Sequence, residues 1–273
     1  MIVIRSCSGF DELEACVRLE IETWGYDPSD VLPRKAFLLA QKIGGQVIGV
    51  FDTEIGRSPA SGGAESLVGF ALSWPGIKNS KLGPQPYLHS HMLAVREGYQ
   101  NRGLGAKLKL EQRKDALKRG IRHMEWTFDP LEIKNAYLNL HKLGVIARRY
   151  EKNFYGASTS RLQGGLPTDR LVAEWELDSP RVEAIIEGRP ADAHIIEARI
   201  PIPAQISEWR SSEAERERAL DVQSDSRKRF HAAFSHGLAI VGFTRDAEGN
   251  GVYELGSLLQ SDTSLASQET YAI

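Results

Sequence analysis

Two cysteines in 273 residues, Cys7 and Cys16, are too few for a disulfide scaffold or a cysteine-built metal site. Charge of one sign is not in excess. Lys plus Arg number 34 against 36 Asp plus Glu, a formal net charge of -2. That balance gives no electrostatic case for nucleic acid or an anionic membrane as partner. No apolar run approaches the length of a membrane span, and no repeat of fixed period is present. The opening residues Met1-Ile2-Val3-Ile4-Arg5 begin as a strand, without a charged-then-apolar leader. These absences set the expectations: a cytoplasmic, reducing location, no metal, no nucleic acid and no membrane. What is present, 41% hydrophobic and 26% charged residues, is the composition of a globular protein. The length suits one large domain, or a domain with a smaller companion.

The most informative stretch is Leu88 to Lys118. An apolar run, Leu88 to Val95, breaks at Arg96-Glu97-Gly98-Tyr99. Then come Gln100-Asn101-Arg102-Gly103-Leu104-Gly105-Ala106 and a lysine- and arginine-rich segment with Leu104, Leu108 and Ala116-Leu117 at helical spacing. The pattern reads as strand, glycine loop, helix. Glycines let backbone amides turn toward a common point, and the helix adds its unpaired N–H groups and positive dipole end. Together they make an anion site suited to a diphosphate. A third glycine at dinucleotide spacing is lacking, as is a following Gly-Lys-Ser/Thr, so neither the Rossmann nor the P-loop pattern is met. The alternative is an ordinary tight link between strand and helix.

The rest of the chain reads as follows. Ile2 to Ser6 is a strand. Phe10 to Trp24 is a helix that Ser8 can cap, with Leu13, Cys16-Val17, Glu20-Ile21 and Trp24 along its face and Gly25 at its end. Pro33 starts a second helix, Arg34 to Ile43, ended by Gly44-Gly45. Trp24 and Tyr26 read as core, with an acceptor pocket as the other reading. Gln46 to Glu54 is a strand of alternating apolar residues that pairs with Leu67 to Trp74 across a Ser-, Gly- and Pro-rich loop, Gly56 to Ala64. Pro75 to Pro86 reads as an irregular connection. Further strands are expected at His123 to Phe128, Val145 to Phe154 and Leu171 to Leu177, with a helix from Leu131 to Leu143 closed by Gly144. Ser179 to Asp192 is a short helix or linker, Ile195 to Ile202 a strand, and Ser207 to His236 one long helix. In that helix Ala219, Val222, Phe230 and Ala233 share a face, and Glu213 to Arg218 is solvated. Leu238 to Thr244 and Val252 to Leu255 form a hairpin around Asn250-Gly251. Ser261 to Ile273 is polar and expected to fray.

The spacing Gln100-x-x-Gly103-x-Gly105, with Leu93-Ala94-Val95-Arg96 upstream, resembles the acetyl-CoA signature of the GNAT (GCN5-related) N-acetyltransferase superfamily. The resemblance covers about Ile2 to Leu177. It implies an α/β fold: a mixed, mostly antiparallel sheet flanked by helices. The residues beyond form a β-α-β-β extension, so the expected domains are 1–177, binding acyl-CoA, and 178–273, packed on the first or on a second copy of the chain. The run Phe128-Asp129-Pro130-Leu131, the Asn-rich helix and Asn153-Phe154-Tyr155-Gly156 resemble a bacterial branch of that superfamily with a C-terminal extension. The resemblance places acetyl-CoA along the backbone of Leu93, Ala94 and Val95, with its phosphates near Gln100, Asn101, Arg102, Gly103, Leu104, Gly105 and Ala106. It also brings in Asn135 and Asn139 as cofactor contacts. The family's frequent tyrosine acid, four residues before the helix-closing glycine, is here Leu140. His141 points about 100° away around the helix.

Acyl transfer to an amine needs a neutral amine at the thioester carbonyl, a group to take its proton and donors for the oxyanion. His89 and His91 lie on one face of their strand, and His91 is the candidate base, with a structural histidine as the other reading. Two histidines are too few for zinc. Tyr150 and Tyr155 are candidate substitutes for the missing acid, and Tyr150 is the one selected. The expected function is acetyl-CoA-dependent N-acylation of a small-molecule amine by direct transfer. The alternative is a non-catalytic module that binds CoA thioesters. A homodimer is compatible with either.

Overall fold

In a computed structural model, which describes residues 1–55, 66–80 and 83–262, the chain divides into two compact units. The first comprises Met1–Asn79, Pro84–Met124 and Thr159–Leu162. It contains β1 (Ile2–Ser6), α1 (Gly9–Trp24), α2 (Arg34–Lys42), β2 (Gln46–Asp52), β3 (Leu67–Ser80), β4 (Gly83–Val95) and α3 (Leu104–Lys118). Its strands lie in the order β1-β2-β3-β4, with β1 and β3 antiparallel to β2.

Alternating apolar residues predict a β2 with one wet face, yet six of its seven residues are buried. Two cores explain this. On one side Val47 and Phe51 join Leu13, Leu19, Phe37, Phe70, Leu72, Met92 and Ala94. On the other, Ile48 and Val50 meet Val68, Ala71, Leu104 and Leu108. Helices therefore cover both faces of the sheet, and both side-chain sets of a strand must be apolar. A register shift between Val50 and Phe51 and the close approach of Phe51 and Leu67 to Gly49 fit the strand into this sandwich.

The segment Pro75 to Pro86 differs from its expected irregular connection. β3 runs on to Ser80 and β4 starts at Gly83, so most of the segment is extended backbone. Pro84 and Pro86 stand among the first four residues of β4, near a strand end, whereas Pro75 lies inside β3. The Gly56 to Ala64 loop lies outside the described residues.

At the start of α1, Ser8 occupies the cap position but makes no side-chain cap. Glu12 takes that role. Its carboxylate accepts from the Ser8 N–H at 2.8 Å and from both Arg5 terminal nitrogens at 2.7 and 2.8 Å. Burial would raise this carboxyl, but the Arg5 and Ser8 bonds hold it below its ordinary value. Gly25 ends the helix in the left-handed conformation, φ 62°, its N–H bonded to the Ile21 carbonyl.

The second unit comprises Ser80–Gly83, Glu125–Ser158 and Gln163–Ile273. It holds most of β5 (His123–Phe128), α4 (Ile133–Ala136), β6 (Tyr150–Glu151), β7 (Arg170–Glu176), α5 (Pro180–Ile186), β8 (Ala198–Ile202), α6 (Ile206–Ser211), α7 (Arg216–Ser235), β9 (Ala239–Arg245) and β10 (Gly251–Gly256). Strand order is β5-β7-β6 in one sheet and β8-β10-β9 in a second, wholly antiparallel one. Three expectations change here. The helix foreseen from Leu131 starts at Ile133, because Asp129 holds Leu131 N–H at 2.8 Å in a preceding turn, and it continues as a π-helical turn over Tyr137–Lys142. The strand foreseen from Val145 shrinks to Tyr150–Glu151 with isolated bridges at Ile146 and Ala147, as Arg148 and Arg149 both turn to Glu174. The long helix Ser207 to His236 is broken at Ser212, which is extended. The break leaves Arg210 held by Asp129 at 2.7 Å and Glu132 at 3.1 Å. On α7 the buried face is Ala219, Gln223, Ser226 and Phe230, more polar than the expected set.

Residues after 177 bond to those before it within this unit. Tyr253 Oη donates to the Pro130 carbonyl at 2.7 Å, Arg227 meets Asp169 at 2.7 Å, and Ala147 bridges to Ile240. Of the tail expected to fray, Ser261 and Asp262 belong to a 3₁₀ turn, with Asp262 buried against His194, and 263–273 lie outside the described residues.

Replacing Glu12 with Ala should cost about 1–2 kcal/mol, the scale of a lost helix cap with charge-assisted bonds. Urea unfolding of the full chain checks it, with Glu12→Gln expected to fall between.

Candidate functional site

The turn from β4 into α3 is built by backbone conformation. Arg96 N–H bonds back to Val68, and Glu97–Tyr99 form one 3₁₀ turn. Asn101 at φ 59° and Gly103 at φ 73° are both left-handed, a state asparagine tolerates and glycine adopts without strain. Two side chains brace the turn: Gln100 Nε2 donates to the Val95 carbonyl at 3.0 Å, and Tyr99 Oη donates to Asp52 at 2.8 Å. The Arg102 guanidinium lies 5.0 Å from the centre of the Tyr99 ring.

Gly103 is the N-cap of α3, and no side chain caps the helix. The first intrahelical bond is Lys107 N–H to the Gly103 carbonyl. The N–H groups of Leu104, Gly105 and Ala106 therefore point out of the helix start, where the dipole is positive. Gln100, Asn101, Arg102 and Gly103 are exposed, and a side chain on Gly103 would meet nothing within 4 Å. The structure thus brings Gln100, Asn101, Arg102, Gly103, Leu104, Gly105 and Ala106 into one open turn with the donors of an anion site.

Upstream, Leu93 and Val95 pack toward Leu104 and Leu108 of α3, while Ala94 faces the opposite core. His91 is half-buried, its ring stacked on Trp74 with centroids 4.5 Å apart and 6.0 Å from His89. Burial pulls His91 down to about 4, and burial with Lys109 and Lys78 nearby lowers His89. His91 is therefore a neutral ring able to accept a proton, but a weak base at neutral pH.

Two charged residues lie inside apolar helix stripes: Glu20, expected on the helix face but given no role, and Lys109, which the sequence did not single out. Lys109 of α3 is buried, with Nζ 2.8 Å from Ser90 Oγ, and Ser90 in turn bonds Gln112 at 3.0 Å. Burial lowers its pKa far below the ordinary lysine range. Glu20 of α1 is 0% exposed and accepts from Leu32 N–H at 2.9 Å. Burial pushes it up to about 7, against the smaller opposing effect of that bond. In each case the legible signal is an ionisable residue occupying a core position of the helical repeat. Trp24 and Tyr26 stack at 5.9 Å and are half-buried against the first core. The loop after α1 is tied by Asp30 to Thr159 Oγ1 at 2.7 Å, and Glu22 pairs with Arg96 at 3.2 Å.

Asn135, Asn139 and Tyr150 belong to the second unit. Asn135 is exposed and Asn139 buried in the π-helical turn. Tyr150 is buried, donating to Asp169 at 2.7 Å, and burial with that carboxylate raises its pKa. Tyr155 is more open, its hydroxyl 2.8 Å from Thr127 Oγ1. Leu140 is buried, and His141 stacks on Tyr137 at 4.6 Å. Among the described residues no group of histidine, cysteine, aspartate and glutamate could hold a metal, and no helix is long and apolar enough to cross a membrane.

Residues 23–144 match the model of the acetyltransferase (GNAT) family, so the chain carries a GNAT acetyltransferase domain. No curated protein matches. Among solved structures the chain is similar to the ribosomal-protein-S18-alanine N-acetyltransferase of Escherichia coli, at 16% identity over 65% of this chain and 94% of that one, TM-score 0.47. It is also similar to Arabidopsis thaliana NAA60 in complex with acetyl-CoA, at 18% identity over 64% and 99%, TM-score 0.49. A third is a GNAT family acetyltransferase from Elizabethkingia anophelis with acetyl-CoA bound, at 16% identity over 64% and 97%, TM-score 0.42.

Glu20 and His91 impose opposed pH dependences. Glu20 is raised, so its contribution to stability is complete below its ordinary 4.5 and is lost as pH rises through about 7. His91 is lowered, so its contribution is complete above its ordinary 6.5 and is lost as pH falls through about 4. Glu20→Gln should leave a stability that rises between pH 4.5 and 6.5, and His91→Asn one that falls, each by about 1–3 kcal/mol at roughly 1.4 kcal/mol per unit. Urea unfolding across that window reads both slopes.

Proposed function

We propose, for a chain that carries a GNAT acetyltransferase domain, that it transfers the acetyl group of acetyl-CoA to a small-molecule amine by direct attack. The observation that carries this reading is the uncapped start of α3, with the amides of Leu104, Gly105 and Ala106 and the exposed Arg102 around one open turn. A diphosphate matches that donor set. The backbone of Leu93, Ala94 and Val95 leads into the turn and is assigned to the pantetheine arm, with Asn135 and Asn139 as further cofactor contacts. In function the chain divides at residue 177, with residues 178–273 an extension packed on the acyl-CoA-binding part.

Acetyl-CoA supplies the activated acyl group. The acceptor amine attacks the thioester carbonyl, the C–N bond forms, the C–S bond breaks and the thiolate leaves. The amine's excess proton goes to a base and a proton reaches the thiolate sulfur. His91, held neutral by burial, is the candidate acceptor of the first. Tyr150 is the candidate donor of the second, and its Asp169 bond holds that proton tightly. This last feature, with Leu140 where the resemblance implies a tyrosine, favours a second reading: a module that binds CoA thioesters without turnover.

Calorimetric titration with acetyl-CoA, with free CoA alongside, tests the loop. Both should bind saturably. Gly103→Glu should weaken both at least tenfold, about 1.4 kcal/mol, by placing an anion in the phosphate approach. Gly103→Ala should stay within a few-fold in affinity, its Cβ meeting nothing within 4 Å, while stability falls by about 1–2 kcal/mol from the left-handed φ of 73°. Unchanged affinity in folded Gly103→Glu removes the assignment. Amine-dependent thiol release then separates the enzyme from the binding module.

A further inference from the structure

The two cysteines of the chain are nine residues apart, and the fold brings their sulfurs into contact. The Sγ atoms of Cys7 and Cys16 lie 3.9 Å apart, one thiol donating to the other, inside the first core. They are all the cysteines of the sequence, so no third sulfur competes for either. Their backbones are held in place. The Cys7 N–H bonds to the Val47 carbonyl of β2 at 2.8 Å, and the Cys7 carbonyl accepts from Gln41 Nε2 of α2 at 2.8 Å. Cys16 lies on the buried face of α1 with Leu13 and Leu19. A disulfide holds its sulfurs about 2.05 Å apart, so the 3.9 Å contact must close by roughly 1.9 Å, a movement shared by two side chains.

The pair also lies close to solvent. Cys7 is buried at the corner from β1 into α1, yet Ser6 before it and Ser8, Gly9 and Phe10 after it are exposed. Gly9 is left-handed, φ 71°, with open space around it, and β1 is the edge strand of its sheet. The Glu12 carboxylate fastens this corner through the Ser8 N–H and Arg5. Opening it uncovers Cys7 before Cys16. The Arg5 guanidinium interacts electrostatically with Cys7, so a cation stands near the sulfur that is met first. The bond from Cys7 and burial push the Cys16 thiol well up, which keeps it protonated until the second step.

We propose that Cys7 and Cys16 form an oxidation site, a dithiol that a hydroperoxide converts to a disulfide tying the end of β1 to α1. The site is independent of the acyl-transfer reading. The Cys7 thiolate attacks hydrogen peroxide, the O–O bond breaks, and a sulfenic acid forms with a hydroxide that takes up the Cys7 proton. The Cys16 sulfur then attacks the sulfenic sulfur, the S–O bond breaks, and that hydroxide leaves with the Cys16 proton. Two thiols and one peroxide give one disulfide and two waters.

The test treats the folded full chain with hydrogen peroxide, then unfolds and alkylates it. Both cysteines should lose alkylation together, with the mass falling by two hydrogens, and dithiothreitol should restore them. Cleavage before Asp11, which lies between the two cysteines, should leave two peptides joined until reduced. The oxidised chain should unfold at higher urea than the reduced one. Cys16→Ser should trap a sulfenic acid on Cys7 that dimedone labels, while Cys7→Ser should leave Cys16 a thiol. Glu12→Ala, which releases the corner, should speed disulfide formation several-fold. Thiols that stay alkylatable in both the wild-type and Glu12→Ala chains would overturn the proposal. So would sulfinic acid on Cys7 with Cys16 untouched, or a disulfide found only between two chains.

Discussion

Burial of the first sheet on both faces is the constraint from which the rest of this unit follows. Val47 and Phe51 face the core under α1 and α2, and Ile48 and Val50 face the one under α3. Burying a large aliphatic side chain contributes roughly 1.5–3 kcal/mol, so neither face can be left wet without a large loss. The chain must therefore pass, straight after β4, to a helix on the second face. The short path available forces Asn101 and Gly103 into left-handed conformations. A helix that starts on glycine has no side chain to satisfy its first amides. The outward-pointing amides are thus a by-product of covering the sheet, and need only that nothing caps them.

Buried polar groups specify what apolar packing leaves loose. Under α3, Lys109, Ser90 and Gln112 form a chain of hydrogen bonds that reaches Gln46 through the Gln112 carbonyl. In the second unit Arg149 bridges Glu125 and Glu174, and Arg210 bridges Asp129 and Glu132. Losing one member of such a set leaves a buried charge, which is far more costly than the net worth of the pair. Each set therefore favours one arrangement of its elements over near alternatives.

The sequence was most readable where local rules act alone. Strand β1, strand β5, the glycine stop at Gly25 and the loop at Gln100 to Ala106 stand where turn chemistry and periodicity put them. It was least readable where distant partners decide. Ser8 looks like a cap, but Arg5 orients Glu12 to do the work. Pro75 and Pro86 look like breakers, but they sit within a long hairpin. Ser212 has no breaker beside it, yet the helix ends there, two residues after an Arg210 committed to two carboxylates. Glu20 stands on the expected helix face and Lys109 in the lysine- and arginine-rich segment, and only the folded chain shows that both are enclosed.

The seating of Lys109 has a consequence for the turn that precedes it. Turning α3 by one residue would rotate every side chain by about 100°. Leu108 would leave the core and Lys109 Nζ would lose Ser90. A misindexed helix of this kind has no cheap resting place, so α3 behaves like a keyed shaft. The heading of three amide hydrogens at its tip is tied to a lysine three to five residues further along the helix. Drift in the exposed loop is thereby decoupled from the aim of the donors, and the loop's own side chains are free to vary.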